Sequence, residues 1–252
     1  MGVVILVLGG TSEGRAVAQA LLETGRPAVL SLAGRTTQPL TVGPVRSGGF
    51  GGVDGLTAYL HAEGISAVVD ATHPFAESMT HNAVQACRRT GVLLVRMGRP
   101  GWSDHPLARH WQWVDDHEQA ARVVRELGER VPRELGQQVL LTVGRQHTLD
   151  YVNQLGDRRV VARVAEPPTG VLPPRWVLLC SRGPFTLTGE RELLAEHDIT
   201  VLVTKDSGGE LTESKLHAAA ERGATVVMIR RPGLPDGLTQ VSSIDELLDW
   251  LP

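Results

Sequence analysis

Apolar runs alternate with helical patterns along the whole chain. Residues 3–8 read Val-Val-Ile-Leu-Val-Leu without a polar break, as a strand covered on both faces requires. The run ends in a turn, Gly9-Gly10-Thr11-Ser12-Glu13-Gly14, and a helix is predicted over 15–23. The pattern then predicts strands over 28–32, 67–70, 92–96 and 111–114, and helices over 56–62, 77–89 and 117–129. A short apolar segment ending at Val45-Arg46 precedes the loop Gly48-Gly49-Phe50-Gly51-Gly52. Strands alternating with helices in this way imply a parallel α/β architecture. The charged stretch 128–136, which contains Pro132, reads as a linker.

Beyond the linker the pattern restarts. The apolar run 138–143 ends in Gly144-Arg145-Gln146-His147, much as 3–8 ends in its glycine turn. A longer match follows at a constant offset of 132: Thr72 falls on Thr204, Gly91 on Gly223 and Arg99 on Arg231, with no gap between them. Repeated supersecondary units predict two Rossmann-like, parallel-sheet domains facing across a cleft, one over 1–130 and one over 131–252. Segment 111–114 and the segment after Pro232 are edge-strand candidates for either half, so strands can be exchanged between the halves. Open parallel sheets bind ligands beyond the carboxyl ends of their strands, which is where Thr72-His73 and Thr204-Lys205 are expected.

Composition narrows the function classes. With 42 % hydrophobic residues the chain can bury a core, and no apolar stretch approaches the roughly 18–20 residues of a membrane span. The amino terminus lacks a basic region and reads as a strand, not a secretory signal. Two cysteines, Cys87 and Cys180, provide neither a disulfide framework nor a zinc spacing, so a reducing, cytoplasmic setting and no metal are expected. A net charge of −3 argues against nucleic acid as a partner. Of 25 cationic residues only Lys205 and Lys215 are lysines, and both lie in one segment.

The turn after the first strand has the features a dinucleotide pyrophosphate needs: small residues, open amides and a helix amino terminus. Gly9 and Gly14 take the outer positions of the three-glycine fingerprint while Thr11 replaces the middle glycine; Gly10, Ser12 and Arg15 complete the segment. Where NAD-preferring folds carry an acid after the second strand, this chain has Gly34-Arg35-Thr36. Arg35 can grip a ribose 2′-phosphate, so NADPH is expected over NADH, with Thr36 beside it. Gly49 and Phe50 belong to a loop on the neighbouring strand where a backbone can approach the coenzyme, and Thr72 ends another.

Four blocks together, Gly9 to Arg15, Gly48 to Gly52, Asp70-Ala71-Thr72-His73-Pro74-Phe75-Ala76 and Thr204-Lys205-Asp206-Ser207-Gly208-Gly209, resemble the precorrin-6A reductase family of cobalamin biosynthesis, in its order and over nearly the whole chain. The resemblance implies an NADPH-dependent enzyme that delivers a hydride to C19 and a proton to C18 of the macrocycle, giving precorrin-6B. It also implies one domain for NADPH, another that helps hold the tetrapyrrole, and a hand-over of product to the next pathway enzyme. A substrate rich in carboxylates calls for cations from several sides, and Arg96, Arg99, Arg145, Arg182, Lys205 and Lys215 are the candidates, with His73, Ser207 and Gly208. His73, Asp206 and a bound water are alternative sources of the proton. Competing readings are a cobalt-containing substrate, an NADPH-binding sensor without catalysis, and a short-chain-type reductase. The last is disfavoured because neither Tyr59 nor Tyr151 has a lysine four residues on.

Overall fold

The computed structural model describes residues 4–34, 42–129 and 136–251. The first half runs β1 (Val4–Leu8), α1 (Ser12–Glu23), β2 (Ala28–Leu32), β3 (Val45–Ser47), α2 (Gly52–Ala62), β4 (Ile65–Asp70), α3 (Glu77–Thr90) and β5 (Leu93–Met97). Next come β6 (Gln112–Val114), α4 (His117–Glu129), β7 (Gln138–Leu141), the single turn α5 (Val152–Leu155), β8 (Arg159–Val164) and β9 (Trp176–Cys180). The chain closes with α6 (Leu187–Glu196), β10 (Val201–Lys205), α7 (Ser214–Arg222), β11 (Thr225–Ile229), β12 (Thr239–Val241) and α8 (Ile244–Trp250). Among the described residues no helix is long and apolar enough to cross a membrane.

These strands form two six-stranded sheets, ordered β12-β5-β4-β1-β2-β3 and β6-β11-β10-β7-β8-β9. Every pairing is parallel. The chain divides into one unit of Met1–Pro100 with Pro232–Pro252 and another of Gly101–Arg231. The boundary expected at 130/131 is therefore corrected: β6 pairs with β11 and β12 pairs with β5, so each edge strand completes the sheet of the other sequence half. The stretch 130–135 of the expected linker lies outside the described residues, and residues 128 and 129 are the end of α4.

The repeat is real at the level of elements but slips in register. Asp70 pairs with Arg96, a separation of 26, whereas Thr204 pairs with Met228, a separation of 24. Thr204-Lys205 are the last residues of β10, while Thr72-His73 lie just past the end of β4.

In β1 successive side chains enter different cores. Ile5 and Val7 pack with Val17 and Leu21 of α1 and Leu247 of α8. Leu6 and Leu8 pack with Leu56 and Leu60 of α2 and Ala83 and Cys87 of α3. A strand covered on both faces has no polar side, which accounts for its unbroken apolar run. In the second unit Leu140, Leu202, Val226 and Met228 meet Leu194 of α6 and Leu216 and Ala219 of α7. Because α8 covers the first sheet from the far end of the sequence, Leu247→Ala should remove about 2–5 kcal/mol of stability. Urea unfolding measures it, with faster amide exchange in β5 as the local sign.

Candidate functional site

In the first sheet β1 lies between β4 and β2, the point at which connections depart to either side and where such sheets bind ligands. The turn after β1 is built around Thr11. Its hydroxyl accepts the Gly14 N–H at 3.1 Å, capping α1, and donates to the Ala71 carbonyl at 2.8 Å. This is why threonine stands in place of the middle glycine: it ties the turn to the loop after β4. A Cβ on Gly14 would lie 2.9 Å from the Gly9 Cα, so glycine is needed for helix α1 to pack against the turn. Gly10 adopts φ +114°, and a Cβ there would meet nothing within 4 Å. An open turn at the start of a 12-residue helix fits a phosphate group. Ser12 donates to Glu13, and Glu13 pairs with Arg99 at 2.7 Å. Burial opposes the Glu13 charge, but the Arg99 hydrogen bond and charge hold its carboxyl below the usual range. Arg99, expected at the substrate, thus sits against the glycine turn, where Arg15 is half-buried.

The loop after β4 is organised by Asp70, which is fully buried. One carboxylate oxygen accepts the Thr72 N–H at 3.1 Å and hydroxyl at 2.7 Å. The other accepts the Thr80 hydroxyl at 2.6 Å and a guanidinium N–H of Arg96. Arg96, expected at the substrate, is only 3 % exposed and is the counter-charge of Asp70. His73 Nδ1 accepts the Phe75 N–H at 3.2 Å, which leaves its Nε2 as the N–H donor.

Sequence reasoning passed over Arg46. Its guanidinium donates to the carbonyls of Gly48 and Gly49 at 2.6 and 2.7 Å and to the Ser31 hydroxyl at 3.2 Å. It also lies 3.7 Å from the Phe50 ring centre, with Tyr59 packed edge-on against the same ring. Phe50 is therefore held by Arg46 and Tyr59, and Gly49 is left exposed at the loop tip. Arg35 and Thr36 lie outside the described residues.

At the carboxyl edge of the second sheet, Lys205 ends β10 with its Nζ 3.7 Å from where a Cβ on Gly144 would stand. Burial pulls its ammonium down to about 8. Arg145, after β7, and Arg182, after β9, both pair with Glu166, after β8, at 3.0 and 2.7 Å. These three loops thus bring two guanidiniums onto one carboxylate, the geometry in which they would meet a ligand carboxylate.

Asp206 is turned inward. Its carboxylate accepts the Trp102 N–H at 2.8 Å and faces Arg231 Nε at 3.4 Å, pinning the segments where the chain enters and leaves this unit. Ser207 is buried beside Thr212, and Gly208 and Gly209 both have positive φ. Lys215, 5 % exposed, donates to the Thr212 carbonyl at 2.6 Å and lies 5.3 Å from the Trp102 ring, so it packs beneath this loop.

Two histidine clusters were also not foreseen. His117 and His147 stack at 4.0 Å, beside Tyr151 and Asp150. His105, Glu213 and His217 come within 4.8 Å of one another, a spacing a metal ion can use. However, His105 Nδ1 accepts the Leu107 N–H at 3.1 Å, so its Nε2 carries the proton and donates to Glu213 at 2.9 Å. The arrangement is a hydrogen-bonded strut between a loop and α7.

Two all-parallel sheets, one with an open, capped glycine turn at its switch point, define a Rossmann-like protein of two units. Residues 4–252 match the family described as precorrin-6x reductase CbiJ/CobK. A precorrin-6A reductase of Rhodococcus erythropolis is 45 % identical over 98 % of this chain and 96 % of its own length. A cobalt-precorrin-6A reductase of Priestia megaterium is 30 % identical over 98 % and 97 %. The solved structure of a CobK precorrin-6A reductase matches with a TM-score of 0.86 and 39 % identity, covering 98 % of this chain and 95 % of that one. The chain belongs to the precorrin-6x reductase CbiJ/CobK family.

Removing one member of a buried ion pair strands the other without water. Arg96→Met should therefore cost about 3–5 kcal/mol in a urea titration, with the Asp70→Asn, Arg96→Met double variant recovering part of it.

Proposed function

We propose that the protein reduces precorrin-6A with NADPH in the cytoplasm, delivering a hydride to C19 and a proton to C18 to give precorrin-6B. The observation that carries this reading is the joint presence of a full-length family match and an open glycine turn capped by Thr11. The greater identity to a relative named for precorrin-6A than to one named for cobalt-precorrin-6A favours the metal-free substrate.

A bound reduced nicotinamide would supply the hydride. The amides of Gly10, Thr11 and Ser12 at the start of α1 would hold the pyrophosphate, and the loop braced by Arg46 would lie beside the adenosine portion. Arg35 would recognise the 2′-phosphate. In the second unit Lys205, Arg145 and Arg182 would bind carboxylates of the ring, with Glu166 keeping both guanidiniums aligned until a substrate carboxylate competes for them. Hydride transfer needs the two carbons at about 3–3.5 Å and water excluded, so the work of the protein is positioning. His73, through its Nε2–H, would serve as a donor to the ligand.

Anaerobic mixing with precorrin-6A should consume NADPH in equal proportion to the tetrapyrrole's spectral change; a protein that binds NADPH without oxidising it would be the sensor instead. Arg35→Ala should raise the KM for NADPH about tenfold or more and leave NADH use little changed. Because Lys205 is charged below about 8, affinity for precorrin-6A should weaken as pH rises through that value, and Lys205→Met should flatten the dependence in a binding titration.

A further inference from the structure

Resting on the reading of the protein as a precorrin-6A reductase, we propose that His147 is the acid that supplies the C18 proton and that Asp150 is its positioning residue.

The ring stands on a turn that holds it in place. Gly144, at φ +84°, ends the run from β7. Its carbonyl accepts the His147 N–H at 3.2 Å and the Thr148 hydroxyl at 3.0 Å, and the Asp150 N–H closes onto the His147 carbonyl at 3.3 Å. His147 Nδ1 lies 2.8 Å from an Asp150 carboxylate oxygen. An Nδ1–H donated to that carboxylate leaves Nε2 as the second nitrogen of the ring, and the His147 side chain is 42 % exposed. One carboxylate orienting one nitrogen of a reachable imidazole is the arrangement general acid–base work requires.

A second imidazole packs against the ring. His117 stacks on it at 4.0 Å and 11°. Burial first, then the charges of His147 and Lys205, pull His117 down to about 4, so it is neutral and does not repel a proton on its neighbour. His117 Nδ1 is 3.0 Å from the hydroxyl of Tyr151, which is fully buried and whose phenol is raised by burial and by Asp150 and Asp116. The charged groups around the pair are thus Asp150, Asp116 and Lys205, two anions against one cation. Lys205, a proposed anchor for the substrate, approaches Gly144, three residues before His147, so anchor and acid share one edge of the sheet.

The alternatives are less well placed. One Asp206 oxygen accepts the Trp102 N–H, and the other lies 3.4 Å from the Arg231 guanidinium, whose Nε–H goes to the Asp206 backbone carbonyl at 2.8 Å. His73 has its Nδ1 turned to a backbone N–H, where His147 has a carboxylate.

In the step itself the hydride forms a C–H bond at C19 and NADPH is oxidised. The displaced π pair of the macrocycle forms a C–H bond at C18 with the proton from Nε2, and the N–H bond breaks. Imidazolium becomes imidazole and is reprotonated from solvent.

Turnover of the full chain with NADPH and precorrin-6A should fall about 10²–10³-fold in His147→Gln. NADPH affinity, read by fluorescence titration, should stay within twofold of wild type. Added imidazole should restore activity to His147→Gly. Asp150→Asn should lower kcat about tenfold with the KM for precorrin-6A unchanged, which general destabilisation would not do. A His147→Gln protein with wild-type kcat, or a His147→Gly protein that imidazole does not rescue, would overturn the assignment alone. A wild-type protein that oxidises no NADPH would overturn the functional reading and this assignment with it.

Discussion

Parallel strand pairing is the constraint on which the rest depends. In each sheet every carboxyl end emerges on the same edge, so the segments that follow β1, β2, β3 and β4 gather in one place, and those that follow β7, β8, β9 and β10 in another. Polar groups at such an edge need partners, because the strands themselves are covered on both faces. The first unit meets this demand with Asp70, whose two oxygens engage Thr72, Thr80 and Arg96. The second meets it with Asp206, which binds Trp102 and Arg231. Each acid fixes a loop that follows a central strand.

Placement decides what each cation does. Arg96 is buried on a carboxylate, and Lys215 is buried beside a carbonyl and a tryptophan face. Arg145 and Arg182 keep about a third or more of their side chains in solvent and share one acid. Lys205 is intermediate: mostly desolvated, with an ammonium that burial pulls down to about 8. A desolvated charge interacts more strongly with an anion than an exposed one does.

Much of this was legible in the sequence. The strand–turn–helix of β1 and α1, the exact span of β2 and the helix over 117–129 follow from apolar periodicity alone, since their burial is two-sided or amphipathic. Family resemblance named the blocks that cluster at the strand ends. What periodicity could not reveal is direction and pairing. Arg96 and Arg99 are three residues apart, yet one is buried on Asp70 and the other meets Glu13. Strands β8 and β9 and helix α6 were not anticipated; in β8 two arginines interrupt the apolar signal, and Arg163 is nonetheless inside, paired with Glu190. The domain boundary was misplaced because local pattern does not say which sheet an edge strand joins: β6 and β12 are short, and only their partners β11 and β5 assign them. The histidine stack joins the first residue of α4 to a loop 30 residues on, 117 to 147, for which no spacing rule exists.

The origin of the two new hydrogens tests direct hydride transfer most sharply. NADPH carrying deuterium at both C4 positions, turned over with precorrin-6A in ordinary water, should give a product whose mass is one unit above that made with unlabelled coenzyme. Turnover in heavy water with ordinary NADPH should likewise place one non-exchanging deuterium on the ring. A reduced product that takes no deuterium from the coenzyme would contradict direct hydride transfer and the account built on it.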